Sequence, residues 1–301
     1  MKDITLIIPI YNEEQSIPKM MPRLSAFLEK NNAANWSVII VNDGSTDRSG
    51  VLLEKISKKN NIVVISHKAN RGYGAALKTG IHAANTKYLA ITDADGSYPF
   101  EMLCEMEKYL DDYVMVIGDR KNYSKVSFLK SIPKIFIRSF ASYVSGKKIT
   151  DFNSGLRLFE KSLALDLIEF IPDGFSFTTT LTVSCFSLDI PVKFVPIDYA
   201  VREGKSKIRP IADTLMFFGT ILKLGVYFAP VPIFGPFFLF SSLASLFFLF
   251  YRSIFGEGFL VLTTVSLILT MLVFLLMLLG GGISAVIKMS LNPEKFKIGK
   301  R

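Results

Sequence analysis

The chain reads as an α/β protein with a mostly parallel sheet, followed by an interfacial helix and a two-helix transmembrane hairpin. Three observations carry that reading. Apolar, strand-like runs alternate with helical stretches over the first 120 residues. The last third holds two long stretches without a charge. The formal charge of +9 is also unevenly spread: of 35 basic and 26 acidic residues, only seven basic and three acidic follow Pro210. What precedes has an ordinary soluble balance and enough length for one sizeable core.

Strands are expected at Ile4–Ile8, Trp36–Val41, Ile62–Ser66, Tyr88–Thr92 and Tyr113–Gly118. Helices are expected at Glu13–Lys30, Thr46–Lys59, Tyr73–Ala84 and Phe100–Tyr109. This alternation predicts βαβ units, which place every βα loop at the same sheet edge. The loops there are polar or glycine-rich: Pro9–Glu14, Asn42–Asp47, Asn70–Gly74 and Asp93–Gly96. Asp43 or Ser45 is expected to cap the second helix. Gly72 and Gly74 lie near a helix N-terminus, a place that favours phosphate. Neither a dinucleotide-binding fingerprint nor a P-loop lysine is found. His67, closing a strand, and His82, in a helix, read as incidental. Cys104 and Cys185 lack metal-type spacing and read as buried free thiols of a reducing compartment. Lys2 and Asp3 lead directly into a strand pattern, so no signal peptide is read at the N-terminus.

Asp93-Ala94-Asp95 carries the most chemistry. An apolar run, Tyr88 to Thr92, ends in two carboxylates one residue apart. Alternate residues share a face, so the two can converge just past the strand end. Two hard oxygen donors suit Mg²⁺ or Mn²⁺ bridging a diphosphate. Alone, such a triplet is more often a solvated turn; the company it keeps here favours the metal.

Val231–Tyr251 is a run of 21 uncharged residues and Phe259–Ile287 one of 29. The first makes roughly 31 Å of helix, the thickness of a bilayer's hydrocarbon core. A hairpin puts both flanks on one side. Those flanks carry Lys205, Lys207 and Arg209 before it, and Lys288, Lys295, Lys297, Lys300 and Arg301 after it. The excess of cations places them, with the N-terminal domain, in the cytoplasm. The expected divisions are 1–210 as a cytoplasmic catalytic domain, 211–230 as an interfacial segment, 231–287 as the hairpin and 288–301 as a basic tail. Ile211–Phe228 has Asp213, Thr220 and Lys223 on one stripe, which suits a helix in the interface plane. A third span is the competing reading, and a hairpin buried in a soluble core competes for 231–287.

In order, Pro9–Glu13 (P-x-Y-N-E), Asn42–Ser45 (N-D-G-S), Asn70–Ala75 (N-x-G-x-G-A) and Asp93–Asp95 resemble the family-2 glycosyltransferases of the A-type nucleotide-sugar fold. Asp151–Phe159 (D-F-N-S-G-L-R-L-F), Gly174–Phe177 and Gly204–Lys207 narrow the resemblance to the polyprenyl-phosphate branch. It covers nearly the whole chain. The resemblance implies that Pro9, Tyr11 and Glu13 line a nucleoside pocket and that Asp43 contacts the base or ribose. It implies that Asp93 and Asp95 hold the metal and the diphosphate of a nucleotide-sugar. Ser97 stands where the family often has a further polar metal contact. Arg202 lies two residues, not three, before the Gly-x-Ser-Lys motif.

Arg120 to Thr150 holds eight basic residues and no acidic one. Lys134 and Arg138 lie one helical turn apart, with Ile135, Phe136 and Phe140 as an apolar complement. Such a segment fits a membrane surface and an anionic lipid head better than nucleic acid. Arg120, Arg138, Arg202 and Lys207 are the candidates for holding the acceptor phosphate. Asp151 is placed nearest the sugar, as a catalytic carboxylate beside Asp93, with a structural pair to Arg157 as the alternative. The expected reaction moves a hexose-type sugar to a polyprenyl phosphate. A processive polysaccharide synthase is opposed by the absence of its tryptophan motif, Trp36 being the only tryptophan. A non-catalytic protein keeping the fold is opposed by the intact carboxylate pair. Base, sugar, lipid length and homo-oligomerisation stay open.

Overall fold

The computed structural model describes residues 2–30, 35–56, 62–120, 128–174, 176–200 and 210–296. Seven strands form one sheet: β1 (Ile4–Ile10), β2 (Trp36–Asn42), β3 (Ile62–Ser66), β4 (Tyr88–Ile91), β5 (Met115–Arg120), β6 (Arg157–Glu160) and β7 (Val192–Ile197). Their order is β3-β2-β1-β4-β6-β5-β7. The β1–β2, β2–β3, β1–β4 and β5–β7 pairs are parallel. β6 runs antiparallel to both β4 and β5. β5 therefore points the same way as β4, and Ile91 and Ile117 both face Arg157 across β6. That register brings the ends of β2, β4 and β5 and the start of β6 to one edge.

The five expected strands are present, shifted at their ends by one or two residues. Two more were not expected: β6, which begins inside the Asp151–Phe159 motif, and β7. The core divides by side-chain alternation along β1. Leu6 and Ile8 face a cluster with α1 (Ile17–Lys30), α2 (Ser49–Ile56) and α4 (Met102–Glu107). Ile7 faces the other cluster, with α3 (Tyr73–Ala83), α5 (Phe128–Ser145), α6 (Lys161–Asp166) and α7 (Phe177–Ser187). Burial on both faces is what a near-continuous apolar strand requires. Cys185 is buried, whereas Cys104 is only half-buried, contrary to expectation.

Helix α8 (Pro210–Phe228) packs one side onto this second cluster through Ile221, Leu224 and Phe228. Its outer side carries Leu215 and Leu222, 66% and 38% exposed. Among the described residues only two helices are long and apolar enough to cross a membrane: α9 (Pro230–Phe255) and α10 (Leu260–Leu291). α8 is not one of them. Both exceed the uncharged stretches, because Arg252 and Lys288 continue the helices past their apolar parts. A 3₁₀ turn, Gly256–Phe259, joins them.

The hairpin is inside out for a water-soluble protein. Phe240, Val261 and Met271 are at least 70% exposed. Ser241, Ser245, Thr263, Ser266 and Ser284 are buried. Only 17% and 11% of the two apolar stretches lie inside the structure, which excludes a hairpin buried in a soluble core. Ser245 and Thr270 hydroxyls meet at 3.0 Å, and Ser284 donates to the Phe228 carbonyl at 3.1 Å. Small and hydroxylated residues at such a seam let helix backbones approach where lipid gives no hydrophobic drive.

Gly280 tests that seam. A Cβ added there would sit 2.9 Å from Cβ of Pro230, whereas Gly282 has nothing within 4 Å. Gly280→Leu should lower the melting temperature of the detergent-solubilised protein, at a cost of about 1–3 kcal/mol or more. Gly282→Leu should leave it unchanged or raise it. Equal effects would mean that the helices do not meet at Gly280.

Candidate active site

The first three βα loops are knitted together by side chains that accept backbone N–H groups. Ser45 accepts from Asn12 at 3.0 Å, and Asn12 from Thr46 at 2.8 Å. Ser49 accepts from Glu13, and Asp47 from both Glu14 and Ser49. Asp47, not Asp43 or Ser45, therefore serves the start of α2, which begins three residues later than expected. Gly44 is at φ +66°, and a Cβ there would fall 2.3 Å from the Ala69 carbonyl carbon, so only glycine fits. Pro9, next to last in β1, stands opposite Val41 of β2, and Tyr11 and Glu13 follow in the loop.

Asp43 is buried and faces the Asn70–Gly74 loop. Its Oδ1 accepts the Arg71 N–H at 2.9 Å and its Oδ2 the Gly72 N–H at 2.8 Å. His67 Nδ1 lies 2.7 Å from Oδ1, and its Nε2 is 2.9 Å from the Thr79 hydroxyl. Because the carboxylate only accepts, Nδ1 carries a proton. His67 is thus a buttress of the site rather than incidental. The next amides are also taken: Gly74 N–H donates to the Gly174 carbonyl at 3.2 Å and Ala75 N–H to the Asp173 carbonyl at 3.0 Å. The expected phosphate perch at this helix N-terminus is therefore filled by the chain itself. The glycines serve close packing: Cβ atoms at Gly72 and Gly74 would lie 2.5 Å from the Asp173 oxygen and 2.2 Å from the Pro172 oxygen.

Past β4, Ala94 is buried while Asp93 and Asp95 are partly exposed, as alternation requires. Asp93 Oδ1 accepts the Tyr73 hydroxyl at 3.0 Å. Asp95 Oδ1 accepts the Ser97 N–H at 3.0 Å and its hydroxyl at 2.5 Å. Burial, and then the charge of Asp93, push the Tyr73 phenol well above its ordinary range, so it remains a donor. Among the described residues no set of three or more His, Cys, Asp or Glu side chains forms a metal cage. Two carboxylates nevertheless fit Mg²⁺ or Mn²⁺, which bind through one or two carboxylates plus substrate phosphates.

Arg120 and Asp151 form a mostly buried bidentate pair, Nε to Oδ2 at 2.6 Å and Nη2 to Oδ1 at 2.8 Å. Arg120 also lies over the Tyr199 ring, which meets Tyr98 edge-on. Burial works to raise the Asp151 carboxyl, but the Arg120 charge and hydrogen bonds outweigh it and hold it below the usual carboxylate value. The alternative partner, Arg157, is engaged elsewhere. It is fully buried and donates to the Ser154 and Phe152 carbonyls and to the Thr182 hydroxyl. Burial lowers its pKa to about 10.

Arg138 lies apart from this cluster, exposed on α5, in an open groove of about 800 Å³ with Ser142, Tyr143, Lys147, Lys148 and Thr150. Arg202 and Lys207 lie outside the described residues. Trp36 is buried and packs edge-on against Phe27 in the core, 4.9 Å between centroids. Sequence reasoning missed Tyr73 and His67. Both lie in or beside the N-x-G-x-G-A segment, but their partners are 20 and 24 residues away.

A mostly parallel sheet with paired carboxylates at its loop-bearing edge is the architecture of an A-type glycosyltransferase domain. The domain superposes on Mycobacterium tuberculosis glucosyl-3-phosphoglycerate synthase, solved with Mn²⁺, UDP and phosphoglyceric acid, with a TM-score of 0.60. That match covers 74% of this chain and 78% of the other at 15% identity. S. aureus TarS 1–349 with UDP-GlcNAc gives 0.53, over 74% and 66% at 19% identity. At these identities the likeness is one of fold. The sequence model of glycosyl transferase family 2 matches residues 5–167, more than half of the chain, which therefore belongs to that family and is a glycosyltransferase. A dolichyl-phosphate beta-glucosyltransferase of Dictyostelium discoideum is 27% identical over 240 residues, 73% of each chain. The human protein of that description is 26% identical over 69% of this chain and 70% of its own. An undecaprenyl-phosphate 4-deoxy-4-formamido-L-arabinose transferase of Salmonella paratyphi A is 31% identical over 165 residues, 54% of this chain and half of that one.

The Arg120–Asp151 pair yields a pH-dependent prediction. The depressed Asp151 pKa contributes stability above the unfolded carboxyl value, and that contribution is lost as pH falls through the folded value. Removing Arg120 leaves burial as the first influence, which raises the carboxyl instead. Arg120→Ala should destabilise the protein by about 3–5 kcal/mol near pH 7. The deficit should shrink as pH falls and Asp151 takes up a proton. Melting curves at falling pH check it; a deficit that does not change with pH would contradict it.

Proposed function

We propose that this glycosyltransferase moves a hexose-type sugar from a nucleotide-sugar to a polyprenyl phosphate at the cytoplasmic membrane face, with a divalent metal and inversion at the anomeric carbon. The carrying observation is the groove around Arg138. It is braced on the first membrane helix, since the Tyr143 hydroxyl donates to the Pro232 carbonyl at 2.9 Å. Its wall ends at Thr150, next in sequence to Asp151, which grips Arg120 at the sheet edge. Cations thus stand in two places, in the groove beside the first membrane helix and, through Arg120, at the sheet edge that carries the carboxylate pair. The relatives' acceptors, dolichyl and undecaprenyl phosphates, agree with such a placement.

In this reading residues 1–210 form the cytoplasmic catalytic domain, 211–230 the interfacial segment, 231–287 the hairpin and 288–301 the basic tail. Pro9, Tyr11, Glu13 and Asp43 line the nucleoside side. Asp93 and Asp95 would hold Mg²⁺ or Mn²⁺, which supplies charge neutralisation to the departing diphosphate. A lipid monophosphate is largely dianionic at pH 7, its second pKa being about 6, so it needs little help from a base. One of its oxygens bonds to the anomeric carbon. The bond from that carbon to the diphosphate oxygen breaks, and its electron pair leaves with the nucleoside diphosphate. A single displacement inverts. Arg120 and Arg138, with Arg202 and Lys207, offset the repulsion between the two anions. Asp151 holds the Arg120 fork in place and lies nearest the sugar.

The test is sugar transfer from radiolabelled UDP- and GDP-sugars to a short polyprenyl phosphate, with Mn²⁺ or with EDTA. Label should enter the lipid only with metal. Asp95→Ala should abolish transfer and leave the protein folded, with a melting temperature lowered only by the loss of the two Ser97 hydrogen bonds. No lipid product with any donor, or full turnover in EDTA, would overturn the reading. Arg138→Ala should raise the acceptor KM roughly 10- to 150-fold, the value of one charge-assisted hydrogen bond, and leave donor KM unchanged. An unchanged acceptor KM would move the acceptor phosphate elsewhere.

A further inference from the structure

The carboxylate of Asp93 is gripped from two directions, and neither grip is explained by the sugar chemistry itself. On Oδ1 it accepts the Tyr73 phenol at 3.0 Å. At Oδ2 it abuts Gly155, where an added Cβ would fall 2.8 Å away. Gly155 is itself tied down, its N–H donating to the Tyr98 hydroxyl at 2.7 Å. Tyr73 has a stiff mount. It is the first residue of α3 and follows Gly72, whose φ of +107° turns the chain. The flanking amides of Arg71 and Gly72 are held by Asp43, and those of Gly74 and Ala75 by the Gly174 and Asp173 carbonyls. His67 braces Asp43 and Thr79 together, and the Thr79 hydroxyl donates back to the Ala75 carbonyl at 3.0 Å.

We infer that Tyr73 is a positioning residue for metal capture: its hydroxyl fixes the rotamer of Asp93, and the clamped Asn70–Gly74 loop fixes Tyr73. The inference rests on the reading of Asp93 and Asp95 as metal ligands. It adds that the nucleoside side and the metal side of the donor pocket are one rigid unit, spanned by a single loop. Two carboxylates make a weak site by themselves, and each free rotation must be frozen when the ion binds. A carboxylate already held by a hydrogen bond loses less on binding, and partners of this outer kind typically change metal affinity by about 10- to 100-fold.

The experiment uses the full-length protein in detergent and titrates Mn²⁺ in the presence of UDP or GDP, by calorimetry and by the rise in melting temperature that Mn²⁺ produces. That rise is referenced to each variant's own metal-free melting point, so a general loss of stability does not mimic the effect. Tyr73→Phe, which keeps the ring, should weaken Mn²⁺ about 10- to 100-fold and leave the acceptor KM as it was. Gly155→Ala, which pushes a methyl toward the other oxygen, should weaken Mn²⁺ too. Asp95→Ala is the reference and should remove Mn²⁺ binding. If Asp95→Ala loses Mn²⁺ while Tyr73→Phe binds it as tightly as the unaltered protein, the positioning role is overturned and the metal site stands. If Asp95→Ala binds Mn²⁺ normally, the metal reading falls and this inference falls with it.

Discussion

The Asp43 carboxylate, accepting two successive amides of a loop that begins 27 residues further on, is the contact on which the donor edge depends. Both hydrogen bonds are part-buried, and a buried donor left without a partner costs about 1–3 kcal/mol. The carbonyls of Asp173 and Gly174 take the next pair, so the loop from Arg71 to Ala75 is held from both ends. Its glycines follow from that arrangement. They stand where carbonyl oxygens approach closer than any side chain allows. A Gly-x-Gly at a helix start invites a phosphate interpretation, but here the helix's first amides are already used. In the proposed reading the diphosphate is left to the carboxylate pair and the cations across the edge, with the loop supplying rigidity.

Parallel strands were legible because each is an apolar run cut off by polar loop residues, and their loops must share an edge. Asp93 and Asp95 could be placed by alternation alone. What escaped was whatever depends on the two strands that close the far side of the sheet. β6 has four residues and follows a loop dense in polar groups, so no periodicity announces it. Its antiparallel insertion puts Asp151 beside the end of β5, and Arg120 wins the carboxylate that proximity in sequence had offered to Arg157. Arg157 instead turns into the core, where two carbonyls and Thr182 absorb its donors. Tyr73 and His67 were invisible for a related reason. A lone aromatic at a helix start and a lone histidine at a strand end acquire meaning only when the partner 20 or 24 residues away is known.

The membrane side shows the opposite balance. Length, lack of charge and flanking cations made α9 and α10 readable from sequence, and the structure adds the inversion of polarity, hydroxyls inside and large apolar groups outside. Helix α8 was harder. Its apolar character suits a span as well as a surface helix; in the structure it lies along the catalytic domain, with Ile221, Leu224 and Phe228 in the core, and it is not among the helices long and apolar enough to cross a membrane.

Helix α5 joins the two halves. Ile137, Ala141 and Val144 bury its inner side in the sheet's cluster. Phe136 and Phe140 stack on Phe218 of α8. Tyr143 reaches the backbone of α9 at Pro232. One helix thus contacts the sheet, the amphipathic helix and the first membrane helix, and also carries the groove around Arg138. The relation between the carboxylate edge and the hairpin is therefore set by side-chain packing rather than by a flexible tether. For a transferase whose acceptor is confined to a bilayer, this matters more than anchorage alone. Anchorage raises the encounter rate, but a reactive phosphate held by its lipid tail can reach only a narrow range of heights. A packed junction keeps the donor edge within that range, and a loose linker would spend part of its ensemble outside it.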